Sequence, residues 1–447
     1  MNDPAGAKGH PETLSSQLYH QEQQFLSPGL QEVAQLSQLA IREGHGCWLT
    51  DMDGRRYLDM MAGVAVCSLG HSHPKYIAAL QMQLGKLTVG SFTTENRLKL
   101  IRLIASLTPP GLNKIQFYSG GAEAVEAAIR LAKSYTKKYE ILGFWGGFHG
   151  KTGGVLGLIG DPFKKHWGVL HPGLHLAPYA DCYRCPFKME YPGCGLYCLE
   201  FVRKIIQNNS TGSLAAIIVE TMQGTAGNVI PPPEFLPGLV EIAREHEALL
   251  IADEMITGFG RTGMMFGCNH TGTRPDIMTL GKGMGNGFPI SALVSTEEIT
   301  ASQPFSKPSS SSSSYGGNPL SSAASLATVQ TILEESLVQN SALVGEHLLG
   351  GFRRIQEKYE FIGDVRGRGL LIGLELVKDR KTREPLDKTV TKRIFLETLK
   401  RGMVSMNYKP GFRINPPLVL SGEEADAGLQ ILDEVFAFVA RSIPYKS

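Results

Sequence analysis

Leu249-Leu-Ile-Ala-Asp-Glu254, an uninterrupted apolar run that ends in two acids, decides the fold of this chain. It predicts a strand over Ala248–Asp253 that is buried on both faces of a parallel sheet. In open sheets of this kind, ligands bind beside the carboxyl ends of the strands, so Asp253 is placed where a ligand would lie. An ordinary helix cap is the alternative role for an acid at this point.

Strands and helices alternate on both sides of this run. The predicted strands are Lys114–Tyr118, Leu214–Glu220, Ile277–Leu280 and Ile290–Ser295, and the predicted helices between them are Ala122–Tyr139 and Glu234–His246. This alternation predicts a mostly parallel sheet with helices on both faces. The last 120 or so residues predict a separate α+β domain, and residues 1–30 are expected to be loosely ordered.

Two further segments carry chemistry. In Ser119-Gly120-Gly121-Ala122, a small-residue turn joins a strand to a helix, whose first N–H groups suit a phosphate. Lys282 follows another buried strand between Gly281 and Gly283, which leave room for a bulky ligand to reach the amine. A lysine that loses water there can lose its proton and act as a nucleophile.

A phosphate cradle, a buried acid and a glycine-flanked lysine together match what pyridoxal 5'-phosphate (PLP) needs. In that arrangement the lysine holds the aldehyde and the acid keeps the pyridine nitrogen protonated. Each of the three signals is weak when taken alone, because glycines also begin helices for packing reasons and most lysines are solvated. Their combination predicts a PLP site.

The chain resembles the class III aminotransferases, the family of the ornithine and 4-aminobutyrate enzymes, from about Gly44 to Val439. The resemblance is carried by Asp253-Glu-Met-Ile-Thr-Gly-Phe-Gly-Arg-Thr-Gly263, by Phe148-His-Gly-Lys-Thr152 and by Tyr315-Gly-Gly-Asn-Pro319. It implies the aspartate-aminotransferase-like α/β fold (fold type I). A large PLP-binding domain over 61–325 and a small α+β domain from 1–60 and 326–447 are expected.

The resemblance also implies roles for individual residues. Lys282 and Asp253 correspond to the catalytic Schiff-base lysine and the partner of the pyridinium nitrogen. Residues that match cofactor-binding positions are Ser119, Gly120, Gly121, Ala122, Phe148, His149, Glu220, Asp253, Met255, Lys282 and Ser314. Ser314 matches a threonine that reaches the phosphate of the other protomer, which implies a homodimer with shared active sites.

The implied activity is ping-pong transfer of an amino group from an amino acid or amine donor to a keto acid. Arg413 matches the arginine that grips the substrate α-carboxylate, and a structural ion pair is its alternative role. Thr225 stands where the ornithine and 4-aminobutyrate enzymes carry a glutamate that neutralises this arginine. We therefore expect Arg413 to be free in both half-reactions. The alternative is that the arginine swings away to admit bulky amines.

Two alternative outcomes share the same cofactor. An amino-acid racemase or epimerase is compatible with the motifs, as is a decarboxylating transaminase, because the C-terminal region resembles dialkylglycine decarboxylase. Val64 stands where that enzyme carries a glutamine that positions the carboxylate for loss, and valine cannot form this hydrogen bond. Val64 instead suggests an apolar wall for the substrate side chain.

Composition restricts the partners. The net charge is +2, from 44 basic and 42 acidic residues, so neither nucleic acid nor a membrane is expected as a partner. The N-terminal stretch lacks a secretory pattern, and seven cysteines do not form a disulfide framework, so a cytoplasmic location is expected. Cys182, Cys185, Cys194 and Cys198 are spaced in a way compatible with a structural metal, but incidental thiols are favoured and no metal is predicted.

Overall fold

The computed structural model describes residues 13–88 and 91–441. The strands are, in chain order, β1 (Ile41–His45), β2 (Trp48–Asp51), β3 (Arg56–Asp59), β4 (Lys114–Tyr118), β5 (Glu140–Phe144), β6 (Leu174–Ala177), β7 (Leu214–Glu220), β8 (Leu249–Asp253), β9 (Ile277–Leu280), β10 (Ser291–Ser295), β11 (Ile362–Arg368), β12 (Leu371–Asp379), β13 (Glu384–Pro385), β14 (Met403–Val404) and β15 (Gly411–Ile414). These strands form three sheets.

The α-helices surround these sheets. They are α1 (Leu14–Gln23), α2 (Glu32–Ser37), α3 (Ala62–Ala65), α4 (Pro74–Leu84), α5 (Glu95–Leu107), α6 (Gly121–Thr136), α7 (Tyr197–Asn209), α8 (Phe235–Glu245), α9 (Glu297–Thr300), α10 (Pro319–Glu334), α11 (Leu337–Lys358), α12 (Lys388–Lys400) and α13 (Gly422–Ala440). Across 13–88 and 91–441, every helix is too short or too polar to cross a membrane.

The large sheet has seven strands in the order β4-β10-β9-β8-β7-β5-β6. Only β10 runs against its neighbours, so the sheet is mostly parallel. Strand β7 is buried along its whole length, as its continuous apolar sequence predicts. Helix α6 packs in one apolar cluster on the sheet, while α7 and α8 pack in another. The sheet is therefore an α/β layer covered on both faces, as in fold type I.

The two smaller sheets are built from the chain ends. One has the order β1-β2-β3-β14, with β14 parallel to β3 through Met403 and Leu58. The other contains β11, β12 and β13, and β15 also pairs with β12. Contact between an N-terminal and a C-terminal strand supports the proposal that 1–60 and 326–447 form one domain.

One expectation from the sequence is wrong, and some elements of the large α/β layer were not predicted. The N-terminal stretch is not loosely ordered where the structure describes it, because α1 begins at Leu14, with Thr13 as its cap and the Asp53 carboxylate accepting from the N–H of Leu14; residues 1–12 lie outside the described residues. Strands β5 and β6 and helix α7 were not predicted. Gly143 interrupts the apolar pattern of β5. Packing favours glycine there, because a Cβ would lie only 3.1 Å from the Leu158 side chain.

Candidate active site

Three neighbouring strands of the large sheet bring acids and a lysine to one edge. Glu220 ends β7 and Asp253 ends β8, and these two residues are paired in register. Strand β9 ends at Leu280, and Lys282 follows in a short turn with φ of 43°. Residues other than glycine rarely adopt this backbone conformation, and such strain is common at functional sites.

A cavity of about 330 Å³ lies at this edge. Most of the predicted cofactor residues line it, namely Ser119, Gly121, Ala122, Phe148, His149, Asp253, Met255 and Lys282. Val66, which is part of the predicted apolar wall around Val64, also lines it, as do residues that were not predicted, namely Gly150, Gly287, Phe288, Pro289 and Ile290. The glycine-rich stretch after Lys282 was the available signal for the last four of these.

The N-terminus of α6 forms an anion cradle. The Glu123 carboxylate accepts hydrogen bonds from the N–H groups of Ser119 and Gly120, at 2.9 and 2.8 Å. The first-turn N–H groups of Gly121 and Ala122 therefore remain for a ligand, together with the positive end of the helix. A Cβ on Gly121 would lie 3.2 Å from the Met255 sulfur, so this position suits glycine.

Asp253 is held by a buried histidine. Its Oδ2 lies 2.7 Å from Nδ1 of His149, and its Oδ1 accepts a hydrogen bond from the N–H of Met255. Burial disfavours a charge on His149, but the hydrogen bond to Asp253 and the negative charge of Asp253 outweigh it and raise the pKa of His149. The contact therefore orients the Asp253 carboxylate at the wall of the cavity.

Lys282 is poised to lose its proton. Burial lowers the pKa of its amine, and the charge of Arg413 acts in the same direction, whereas Asp253 and Glu220 oppose them. A Cβ on Gly281 or Gly283 would lie 2.6 Å from the Met255 sulfur or the Ser68 hydroxyl, so both flanking positions exclude larger residues. A neutral amine in this cavity can attack a carbonyl carbon.

Glu220 connects two parts of the site from behind the cavity. One carboxylate oxygen accepts from the N–H of Phe148 at 2.9 Å, and the other accepts from the N–H of Gly224 at 3.0 Å. Burial raises the pKa of Glu220, although nearby His149 opposes this. The carboxylate thus fixes both Phe148, a predicted cofactor-binding residue, and the loop that carries Thr225.

Arg413 reaches the same loop from β15. Its Nη1 donates a long hydrogen bond of 3.4 Å to the carbonyl oxygen of Gly224, and burial lowers the pKa of its guanidinium. The structure shows no ion pair for Arg413 with any acid in residues 13–88 and 91–441. Thr225, beside Gly224, is exposed and carries no charge.

Several predicted residues do not line the cavity. Val64 lies in a left-handed turn, with φ of 70°, and Val66 after it lines the cavity in its place. Gly120 and Ser314 are exposed on the single chain. The neighbouring Ser311 is nevertheless buried and lies 2.7 Å from the Tyr118 hydroxyl, so the serine run is anchored to β4.

The four close cysteines share one small cavity apart from the active site. Cys182, Cys185, Cys194 and Cys198 all line it, and all are free thiols. Burial raises the pKa of the Cys182 and Cys198 thiols to about 11. In the part of the chain that the structure describes, no three His, Cys, Asp or Glu side chains are arranged to hold a metal ion.

The residues that line the cavity match the chemical groups of PLP. The cradle at Gly121 and Ala122 suits the phosphate, the Lys282 amine suits the aldehyde, and the Asp253 carboxylate suits a protonated ring nitrogen. Phe148 offers an aromatic face and Met255 an apolar contact across the cavity.

Comparison with known proteins agrees with this fit. Residues 31–436 match the family model described as aminotransferase class-III. The chain is 35% identical over 397 residues to a leucine/methionine racemase of Thermococcus litoralis, covering 87% of this chain and 88% of that protein. It is 34% identical over 406 residues to the diaminobutyrate–2-oxoglutarate aminotransferase of Rhizobium meliloti, covering 87% and 86%. The crystal structure of a PLP-bound amine transaminase from an uncultivated Pseudomonas species aligns with a TM-score of 0.87 and 32% identity, covering 93% and 98%.

Proposed function

Because the chain belongs to the aminotransferase class-III family, a family of PLP-dependent enzymes, we propose that this aminotransferase uses donors and acceptors that both carry an α-carboxylate. The reaction moves an amino group from a donor to a keto acid. The single observation that carries the proposal is the state of Arg413, which has no acidic partner in the described residues and donates to the carbonyl oxygen of Gly224, the residue before uncharged Thr225.

The charge balance at Arg413 explains this choice. A partly buried guanidinium without an anion is costly, and a substrate carboxylate supplies two acceptors in the planar geometry that arginine favours. A glutamate in place of Thr225 would compete with that carboxylate. With threonine there, amino acid and keto acid meet the same unpaired cation in both half-reactions.

The proposal also gives a role to the other side chains of the site. PLP, when bound, supplies an electron sink that loosens the bond to the substrate α-hydrogen. Lys282 holds the cofactor and carries the proton between the substrate α-carbon and the cofactor carbon. Asp253, oriented by His149, would hold the ring nitrogen, and Phe148 and Met255 would contact the ring. Glu220 positions Phe148 and the Gly224 loop.

A homodimer completes the site in this proposal. Exposed apolar side chains cluster on α4, on α5 and between them: Ile77, Met82, Leu84, Leu87, Phe92 and Leu98, of which Phe92 is 79% exposed. Apolar exposure on this scale favours an interface with a second copy of the chain. Ser314 is exposed and so is free to reach the phosphate site of the other protomer.

The proposed compartment is the cytoplasm. All seven cysteines are free in the structure, including the buried Cys47 and Cys268. Free thiols in this number are typical of a reducing compartment.

Replacement of Arg413 tests the substrate class. For Arg413→Leu we expect KM to rise at least about 30-fold for both L-alanine and 2-oxoglutarate, because each loses its charged partner. The exposed Arg354→Leu on α11 is the matched control and should leave both values unchanged. A rise for only one of the two substrates would contradict the proposal.

Racemisation is the second candidate, because one relative is a leucine/methionine racemase. Both reactions remove the α-proton, but only transamination releases a keto acid. Incubation of the holoenzyme with L-leucine in deuterated water separates them. Deuterated D-leucine without keto acid would establish racemisation, and 4-methyl-2-oxopentanoate would establish transamination.

A further inference from the structure

Two arginines and a glycine lie in one row across three neighbouring strands, β11, β12 and β15. Gly373 of β12 pairs with Arg366 of β11 on one side and with Arg413 of β15 on the other. Residues directly opposite one another on neighbouring strands point to the same face of a sheet. The two arginine side chains therefore flank a position that has no side chain.

A tight turn, residues 224–228, fills this gap. The carbonyl oxygen of Gly224 accepts hydrogen bonds from the N–H groups of Gly227 and Asn228, at 3.0 and 3.1 Å. The carbonyl oxygen of Gly227 lies against Gly373, since a Cβ on Gly373 would be only 2.2 Å from it. The turn can therefore approach the sheet only because Gly373 is a glycine.

Both arginines donate hydrogen bonds to this turn. Nη2 of Arg366 donates to the carbonyl oxygen of Gly227 at 2.7 Å, and its Nε donates to that of Asn228 at 3.1 Å. Nη1 of Arg413 donates to the carbonyl oxygen of Gly224 at 3.4 Å. Because Arg366 makes two contacts, both shorter than the single contact of Arg413, Arg366 fixes the turn. The fixed turn then offers Arg413 an acceptor in a defined place.

The two arginines differ in charge balance. Arg366 is paired with Asp364 at 2.8 Å and with Glu375 at 2.9 Å. Burial alone would lower the pKa of Arg366, but these two acids outweigh it and raise that pKa, whereas burial lowers the pKa of Arg413. Glu375 is itself buried and also pairs with Arg184 at 2.7 Å. The charge of Arg366 is therefore balanced within the protein, and that of Arg413 is left for a substrate.

We infer that Arg366 is a positioning residue for carboxylate recognition, which fixes the 224–228 turn so that the Gly224 carbonyl oxygen orients the guanidinium of Arg413. This role rests on the proposed function of Arg413. The alternative is that Arg366 only stabilises the fold through its ion pairs with Asp364 and Glu375. Arg366→Lys separates the two roles. Lysine keeps the charge beside the acids, but its compact amine cannot reproduce the planar fork that reaches both carbonyl oxygens.

The test compares ligands with and without a carboxylate in the Arg366→Lys holoenzyme. We expect KM for L-alanine and the inhibition constant of propionate, a carboxylate without an amine, each to rise about 10-fold, as for one lost hydrogen bond, with kcat within about twofold. The kcat/KM for 2-aminopropane, an amine without a carboxylate, should not change. Arg368→Lys, at an exposed arginine two positions further along β11, is the matched control and should leave all of these values unchanged.

Two further variants test the turn without relying on this lysine alone. Gly373→Ala keeps both arginines but forces the Gly227 carbonyl oxygen away from the sheet, so it should raise the same two constants. In an Arg413→Leu background, Arg366→Lys should have no further effect on propionate, because it acts only through Arg413. The absorption band of the lysine-bound cofactor shows in each case that the variant is folded and loaded.

Several outcomes would overturn this role. Unchanged constants for L-alanine and propionate in both Arg366→Lys and Gly373→Ala would show that the turn does not orient Arg413. An equal loss for 2-aminopropane, or a further loss of the same size in the Arg413→Leu background, would show that Arg366 does not act through Arg413. If Arg413→Leu itself leaves propionate inhibition unchanged, the proposed function fails first, and the role of Arg366 falls with it.

Discussion

Nδ1 of His149 lies 2.7 Å from Oδ2 of Asp253, and both side chains are buried at the wall of the cavity. The two residues come from different parts of the chain, since His149 follows β5 and Asp253 ends β8. This contact orients the Asp253 carboxylate, which lines the cavity and would hold the ring nitrogen of PLP. The proposed mechanism depends on this contact.

Removal of His149 should destabilise the protein in a pH-dependent way. Because the pKa of His149 is raised above its usual value of about 6.5, the pair stabilises the fold fully below that pH. This stabilisation is lost as the pH rises through the raised pKa of His149. We expect His149→Leu to cost about 3–5 kcal/mol below pH 6.5, because Asp253 is left buried without its partner, and less at pH 9.

Thermal unfolding of the apoenzyme over this pH range measures the effect. Glu241→Leu, which removes an exposed charge from α8, is the control and should not show the same trend. A destabilisation by His149→Leu that grows with rising pH would contradict the predicted direction of the pH dependence.

Loss of the Lys282 amine should abolish turnover. For Lys282→Ala we expect kcat to fall by at least about a hundredfold, since a single proton carrier is removed. The absorption band that arises when the cofactor is held by the amine should also be absent. Lys188→Ala, at an exposed lysine far from the cavity, should keep both activity and band. A Lys282→Ala enzyme with normal turnover would remove this residue from the mechanism.

Ser314 should act across the dimer. Ser314→Asp places a negative charge near the phosphate, and we expect it to inactivate the enzyme by repulsion. When its subunits are mixed with Lys282→Ala subunits, half of the dimers are hybrids with one intact site of two. Activity should then return to about a quarter of the wild-type value. No recovery in hybrids that are shown to form would place Ser314 at the site of its own chain.

The sequence was sufficient to predict the residues at the ends of buried strands. Asp253 follows a continuous apolar run and Lys282 follows another, so their meeting at one sheet edge could be predicted from strand order and parallel direction. His149 and Asp253 are 104 residues apart in the sequence, and no local sequence pattern predicts a contact between residues so far apart.

Introduction of the missing acid should change substrate preference. In Thr225→Glu, the new carboxylate lies beside Gly224, whose carbonyl oxygen already accepts from Arg413. We expect the acid to pair with the arginine and to raise KM for L-alanine about 10-fold, whereas 2-aminopropane is spared. Steady-state kinetics with both donors checks this, with Thr225→Gln as the uncharged control of equal size. An equal change in both variants would show that bulk, and not charge, matters at this position.

The most direct measurement of the central claim is the half-reaction of wild-type holoenzyme with L-alanine, followed by absorbance. We predict that the band of the lysine-bound cofactor is replaced by that of pyridoxamine phosphate, and that pyruvate is released in equal amount. 2-Aminopropane, which has no carboxylate for Arg413, should react far more slowly. If L-alanine leaves the band unchanged while 2-aminopropane removes it, carboxylate recognition by Arg413 is contradicted.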